Sequence, residues 1–339
     1  MSEALAIHLL EDCPPERFAR LGQGLLRQVE SDPRPRLLIA GLRGEAVLLG
    51  RHQRAASALA RAGLEERSVA RRSGGGRAIR AGDGTIGVLL ALPRMGALLQ
   101  DPATADKLIN RYVRGLNVGL TLAGAGSGAH YFGRDFVSAE GRQIAVVSQD
   151  GLASGAVLFE AVVAVSRPLA LPDGLDGYPE HGDPKAGGPP HGTLAELWKS
   201  PHDLEALAES IATGYGRSLG CETALVQEGG LREEPVVPDV AEDEAGFADS
   251  GVADIPIGFA EALVRRDGDR IAEVRLRGDF IAPAFVLRGL ERALEGTSLE
   301  YDAIGRVVDG AFREPHAAIL GVRGLRILPD AILAAAGLP

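Results

Sequence analysis

The chain has 339 residues, 45% hydrophobic and 24% charged, with a formal net charge of −10; that is enough sequence for a large domain and a smaller one. The acidic balance and an aromatic content of 4% argue against broad affinity for nucleic acid or for an anionic membrane, both of which need a positive surface field. Cys13 and Cys221 are the only cysteines and have no CxxC spacing, so neither a disulfide framework nor a zinc site is expected and a reducing cytoplasm fits. The N-terminal MSEALAIHLLEDC lacks a basic segment followed by a long apolar one and does not read as a signal peptide.

Phe18, Leu21, Leu25 and Val29 recur at helical spacing after Pro14-Pro15. Two apolar runs, 37–40 and 46–49, flank Gly41 and Gly44 and read as a strand pair. A buried strand is expected over 86–92, and a helix carrying Leu108, Tyr112, Leu116 and Leu120. A hairpin follows over 136–139 and 144–148, then an apolar strand over 156–165. Residues 170–192 are rich in Pro, Gly and Asp and read as a long loop. Leu204, Leu207, Ile211 and Tyr215 mark a further helix. The aperiodic acidic stretch 228–254 reads as a linker between a domain over 1–227 and a second, α+β domain over 255–339. In the latter, a hairpin turns at Asp267-Gly268 and a helix ends at Gly296.

The segment Arg71-Arg72-Ser73-Gly74-Gly75-Gly76-Arg77 joins two strand-like pieces. Three missing Cβ atoms let backbone N–H groups approach a ligand, and flanking guanidiniums supply charge, so the segment suits a carboxylate, phosphate or acyl-adenylate. A tight hairpin with solvated arginines fits the same residues. No GxxxxGK[ST] is present, and no GxGxxG opens a helix.

Together with Gly50-Arg51-His52-Gln53, this segment resembles the RRxSGGG loop and GRxQ turn of the lipoate–protein ligase A family, within the biotin and lipoate ligase superfamily. Gly133-Arg134-Asp135-Phe136-Val137 and Gly141-Arg142-Gln143-Ile144-Ala145 resemble further family elements in the family's order. Val274 to Ile281, with its Gly-Asp-Phe turn, and Leu290 to Gly296 resemble the accessory domain of those ligases.

The resemblance implies a mixed-sheet α/β domain flanked by helices and a small α+β C-terminal accessory domain. It implies ATP- and Mg²⁺-dependent activation of lipoate or a related acyl group to an adenylate, followed by transfer to a lysine of a lipoyl-domain-type acceptor protein. Arg71 would contact the acyl and phosphate end, the backbone from Ser73 through Gly74, Gly75, Gly76 and Arg77 to Ala78 would line the channel, Ile79 would wall the pocket, and Asp135 would sit near the nucleotide.

The chain departs from the family at Gln143, where members carry a lysine. Losing one preorganised donor of that kind costs roughly 2.7–4 kcal/mol of transition-state stabilisation. Two readings follow: another cation, among Arg77, Arg80, Arg134 and Arg142, has taken over, or the chain is a degenerate member that binds a lipoyl, acyl or nucleotide ligand, or a lipoylated partner, without efficient adenylation. Val146, and Ser154-Gly155-Ala156 where the family often has HGT, are further departures. Neither cysteine falls in a site element, so a thioester route is not expected; His130 and His191 lie near site elements, and Trp198 and Met95 are read as packing residues.

Overall fold

The computed structural model describes residues 4–60, 68–101, 104–124, 128–171, 189–198, 203–226, 230–235, 247 and 250–338. Most of the 170–192 loop lies outside the described residues.

An eight-stranded mixed sheet organises the larger unit. It comprises β1 (Leu5–Cys13), β2 (Arg36–Leu42), β6 (Thr85–Leu92), β7 (His130–Tyr131), β8 (Phe136–Ala139), β9 (Arg142–Gly151), β10 (Val157–Ala164) and β11 (Thr223–Leu225), in the order β11-β1-β2-β6-β10-β9-β8-β7. β1 runs parallel to β11 and β2, and the remaining pairs are antiparallel. Helices α3 (Leu108–Leu122) and α5 (Leu204–Leu219) cover one face, where Tyr112, Leu116, Ile211 and Tyr215 share a core with Ile39, Val88 and Phe159. The other face packs Leu38, Leu89 and Leu158 against Phe18, Leu21 and Leu25 of α1 (Pro15–Ser31). Residues on both faces are apolar, which is why β6 and β10 read as continuous hydrophobic runs rather than alternations.

A second sheet, β4-β3-β5, adds Leu48 and Ile79 to the α1 core; its strands are β4 (Val69–Arg71), β3 (Glu45–Leu49) and β5 (Ile79–Gly82). The expected pairing of 37–40 with 46–49 is therefore wrong: β2 and β3 lie in different sheets. The physical reason is a shared bend. Leu42 faces Thr85 and Glu45 faces Gly82, so β2–β3 and β6–β5 form one antiparallel ladder, creased where Gly44 (φ 85°) and Gly82 (φ 140°) adopt left-handed backbone. The short helix α2 (Ala55–Ala60) follows β3, and α4 (Leu194–Trp198) precedes α5.

The C-terminal unit pairs β12 (Ser250–Ile255), β13 (Gly258–Asp267) and β14 (Arg270–Gly278), backed by α6 (Ala284–Leu294), α7 (Tyr301–Ala311) and α8 (Ile327–Ala335). The 228–254 stretch is not linker throughout. β12 begins inside it, and Gly230–Pro235 lies along α1, where Arg17 and Arg20 meet Glu233 at 2.8 and 3.2 Å and Gln28 Nε2 donates to Gly230 O. Only Gly251 and Ile255 of β12 are buried, so its apolar content was too thin to register as a strand.

Candidate functional site

The glycine loop connects β4 to β5, which flank β3 without pairing, so it is a crossover and not a hairpin. It rests on β9 and β10 where these present Ser148 and Glu160, an opposed pair in the ladder. Ser148 Oγ donates to Gly75 O at 2.8 Å, and Gly74 N donates to Glu160 Oε2 at 3.1 Å. From above, Gly76 N donates to Phe280 O at 3.0 Å, and Arg51 N to Gly74 O at 2.9 Å. Each glycine has a specific cause. A Cβ on Gly74 would enter the Ser148 side chain, one on Gly75 would come within 2.5 Å of Phe280 O, and Gly76 has φ 89°. The Gly74 and Gly76 amides thus meet the protein's own atoms.

The Gly50–Gln53 turn is closed by Gln53 Oε1, which accepts from Gly50 N at 2.8 Å. Arg71 Nη1 donates to the carbonyls of Gly50, Arg51 and Gln53 at 2.9, 3.0 and 2.6 Å, so this guanidinium holds the turn. The turn in turn grips the Gly278-Asp279-Phe280 segment. Gln53 Nε2 donates to Asp279 Oδ1 at 2.6 Å, Gly278 N to His52 O at 2.9 Å, and the His52 ring stacks on Phe280 with centroids 5.4 Å apart. His52 Nε2 donates to Ala282 O at 2.8 Å. Burial pushes the His52 imidazole down to about 3, with Arg51, Arg277 and Arg71 adding to the effect and the Ala282 bond opposing it.

A neutral, buried imidazole has a pH signature. Its folded value lies below the unfolded value near 6.5, so its contribution is whole above that pH and is lost as pH falls toward about 3. Acidification across that window is expected to cost roughly 4 kcal/mol through this residue alone. Urea unfolding from pH 7 to pH 4 should show a shallower loss in His52→Gln than in the native chain; parallel slopes would remove His52 from the balance.

Three arginines and three carboxylates are buried around the loop. Arg51 Nη1 lies 2.9 Å from Asp150 Oδ2, Arg72 Nη1 3.6 Å from Glu160 Oε1, and Arg77 Nε 2.9 Å from Asp135 Oδ2. Burial raises the carboxyls of Asp150 and Glu160, opposed by Arg51 and Arg72 respectively. Asp150 Oδ1 also accepts from Ala284 N at 3.1 Å. Arg77 Nη2 donates to Gln143 Oε1, whose amide Nε2 donates to Pro189 O at 2.8 Å. The backbone of Gln143 bonds on both sides to the 190–192 segment. Gln143 is therefore pinned between a guanidinium and a carbonyl.

Of the residues singled out in the sequence, the structure brings Ser73, Gly74, Gly75, Gly76, Arg77, Asp135 and Gln143 together. Ile79 lies in the α1 core and Ala78 packs with Val47 and Leu49. Arg80 faces outward to Glu45, Arg142 to Glu196, and Arg134 is half-buried beside Asp135; only Arg77 among the four candidate cations touches Gln143. Burial pushes the Cys13 thiol up to about 11 and raises Cys221, so neither is poised as a nucleophile. His130 is exposed, and His191 bridges Gln143 through its backbone. Glu160, Asp150 and Asp279 were missed. A lone acid inside VLFEAVVA was the one available signal for Glu160.

No family model and no curated protein matches the sequence. Solved structures do match. LipL1 of P. falciparum, solved in complex with lipoate, superposes with a TM-score of 0.62 at 10% identity, over 90% of this chain and 94% of that one. This chain has the lipoate–protein ligase fold. Similarity also extends to a bi-partite lipoate protein ligase of Thermoplasma acidophilum, described with its E2 lipoyl domain (TM-score 0.49, 16% identity, 67% and 89% coverage). A biotin protein ligase of Aquifex aeolicus with biotin and ATP is more distant (TM-score 0.35, 9% identity, 63% and 70% coverage). The coverage of LipL1 shows that the lipoate-ligase fold accounts for the C-terminal unit as well as the large sheet. No described helix is long and apolar enough to cross a membrane.

Proposed function

We propose that this chain is a non-adenylating member of the lipoate-ligase fold, which recognises a lipoyl- or acyl-bearing partner of the lipoyl-domain type without activating a free acid. The observation that carries this reading is the charge balance around the glycine loop: Arg51, Arg72 and Arg77 each face a buried carboxylate. Adenylation brings together a carboxylate and a triphosphate, and stabilising that charge needs cations that are not already neutralised. At the position where the resemblance calls for a lysine, Gln143 offers an amide committed to Arg77 and Pro189. The residues present do not fit ATP with Mg²⁺: the Arg51, Arg72 and Arg77 guanidiniums are paired with carboxylates, and among the described residues no three His, Cys, Asp or Glu side chains gather as metal ligands. The partner class follows from likeness to a protein solved in complex with lipoate.

Purified protein incubated with lipoate or octanoate, ATP and Mg²⁺ is expected to release pyrophosphate no faster than a protein-free blank. A lipoylated lipoyl domain should bind it in isothermal titration more tightly than the unlipoylated domain. Pyrophosphate release above the blank, or equal affinity for the two domain forms, would overturn the reading.

A further inference from the structure

Glu160 stands at an unusual place for an acid. It sits in the middle of β10, a strand that is otherwise apolar and buried along its whole length, and only 1% of it is exposed. Its carboxylate receives Gly74 N–H at 3.1 Å and lies 3.6 Å from Arg72 Nη1, itself 1% exposed. A glycine loop that turns an amide N–H toward a forked cation is an arrangement that binds anions. Here the anion is supplied by the protein. The fit is incomplete: Glu160 Oε1 and Arg72 Nε are both buried with no hydrogen-bond partner. Buried polar atoms are ordinarily satisfied, so a carboxylate oxygen and a guanidinium nitrogen both left unmet, with 3.6 Å between Glu160 Oε1 and Arg72 Nη1, mark an anion position that the tethered side chain fills imperfectly. Asp150 and Asp135 do not compete for the position, because each is engaged with its own arginine.

We infer that Glu160 is a tethered ligand: its carboxylate fills the anion position of the glycine loop, so the site beneath is one for a small monocarboxylate and the native chain is closed to it. This rests on the non-adenylating reading and deepens it, since it places the block at Glu160 independently of Gln143. Replacing Glu160 by alanine deletes a methylene and a carboxylate, the size of acetate, and leaves Arg72 and Gly74 N–H facing the space. Removing one partner of a buried pair strands the other charge, which gives a free carboxylate a reason to enter.

The experiment is thermal unfolding of Glu160→Ala and of the native protein in acetate, formate, acetamide and chloride at matched ionic strength. Acetate and formate should raise the variant's Tm in a saturable way, while acetamide and chloride should not, and the native Tm should respond to none of them specifically. If the variant does not fold unaided, refolding from guanidinium must recover in acetate and not in acetamide. A variant that responds to acetate no more than to chloride, a refolding yield indifferent to carboxylate, or a native chain that responds as strongly as the variant would each overturn the inference. Pyrophosphate release by the native protein would instead sink the non-adenylating reading, and the acetate result would stand by itself.

Discussion

Gly75→Ala is expected to lift the C-terminal unit off the glycine loop. The new Cβ would lie 2.5 Å from Phe280 O and 2.9 Å from Ile281 Cα, and both are backbone atoms that cannot rotate away. Backbone strain is not the cause, because Gly75 does not have positive φ. Overpacking of this kind costs typically 1–3 kcal/mol, and the rigid neighbours place this case at about 3. The loss should concentrate where the two units meet. The Gly76 N–H, which bonds Phe280 O, and the Gly278 N–H, which bonds His52 O, should lose hydrogen-exchange protection, while the β10 amides retain theirs. Gly289→Ala provides the control: its Cβ would meet nothing within 4 Å inside α6, so it should leave the chain as stable or more stable by up to about 1 kcal/mol. Unchanged protection at Gly76 and Gly278 would mean that the contact between the units is looser than its hydrogen bonds imply.

That contact also shows what could be read from sequence and what could not. Helix α1 was legible because Phe18, Leu21, Leu25 and Val29 lie on one face, and β6 and β10 because strands buried on both sides are continuously apolar. β1 was not, since its apolar residues are interrupted by His8 and followed by Glu11 and Asp12. The pairing of β2 and β3 was misread because strand neighbours are chosen by tertiary structure: each finds its partner across the crease, in β6 and β5, and not in the other. The glycine loop was legible as a place of close approach. What approaches it was not, because Glu160, Ser148 and Phe280 are remote in sequence and none forms a motif with it. Arg71 illustrates the same limit. Its type and position suit an anion, yet its Nη1 is used on three carbonyls of the Gly50–Gln53 turn, a use that only the folded backbone defines.

Restoring a lysine at position 143 is expected to destabilise the chain and to leave pyrophosphate release at the blank. An ammonium at Gln143 would face the Arg77 guanidinium, which already shares the buried space with Asp135. Two cations would then divide one carboxylate, and an uncompensated buried charge costs about 3–5 kcal/mol. The substitution also removes the acceptor that Gln143 Oε1 offers Arg77 Nη2. Gln143→Met separates the two contributions: it deletes the amide without adding charge and should cost about 1–3 kcal/mol, the price of leaving buried polar groups unmet. The expected order of denaturant midpoints is therefore native, then methionine, then lysine. The reverse order for the two variants, accompanied by pyrophosphate release in the lysine form, would show that Arg77 yields its place and that a missing ammonium was the sole defect. In that case Asp135 would be free to serve the new cation, and the neutral balance around the loop would be a consequence of Gln143 and not a barrier in its own right.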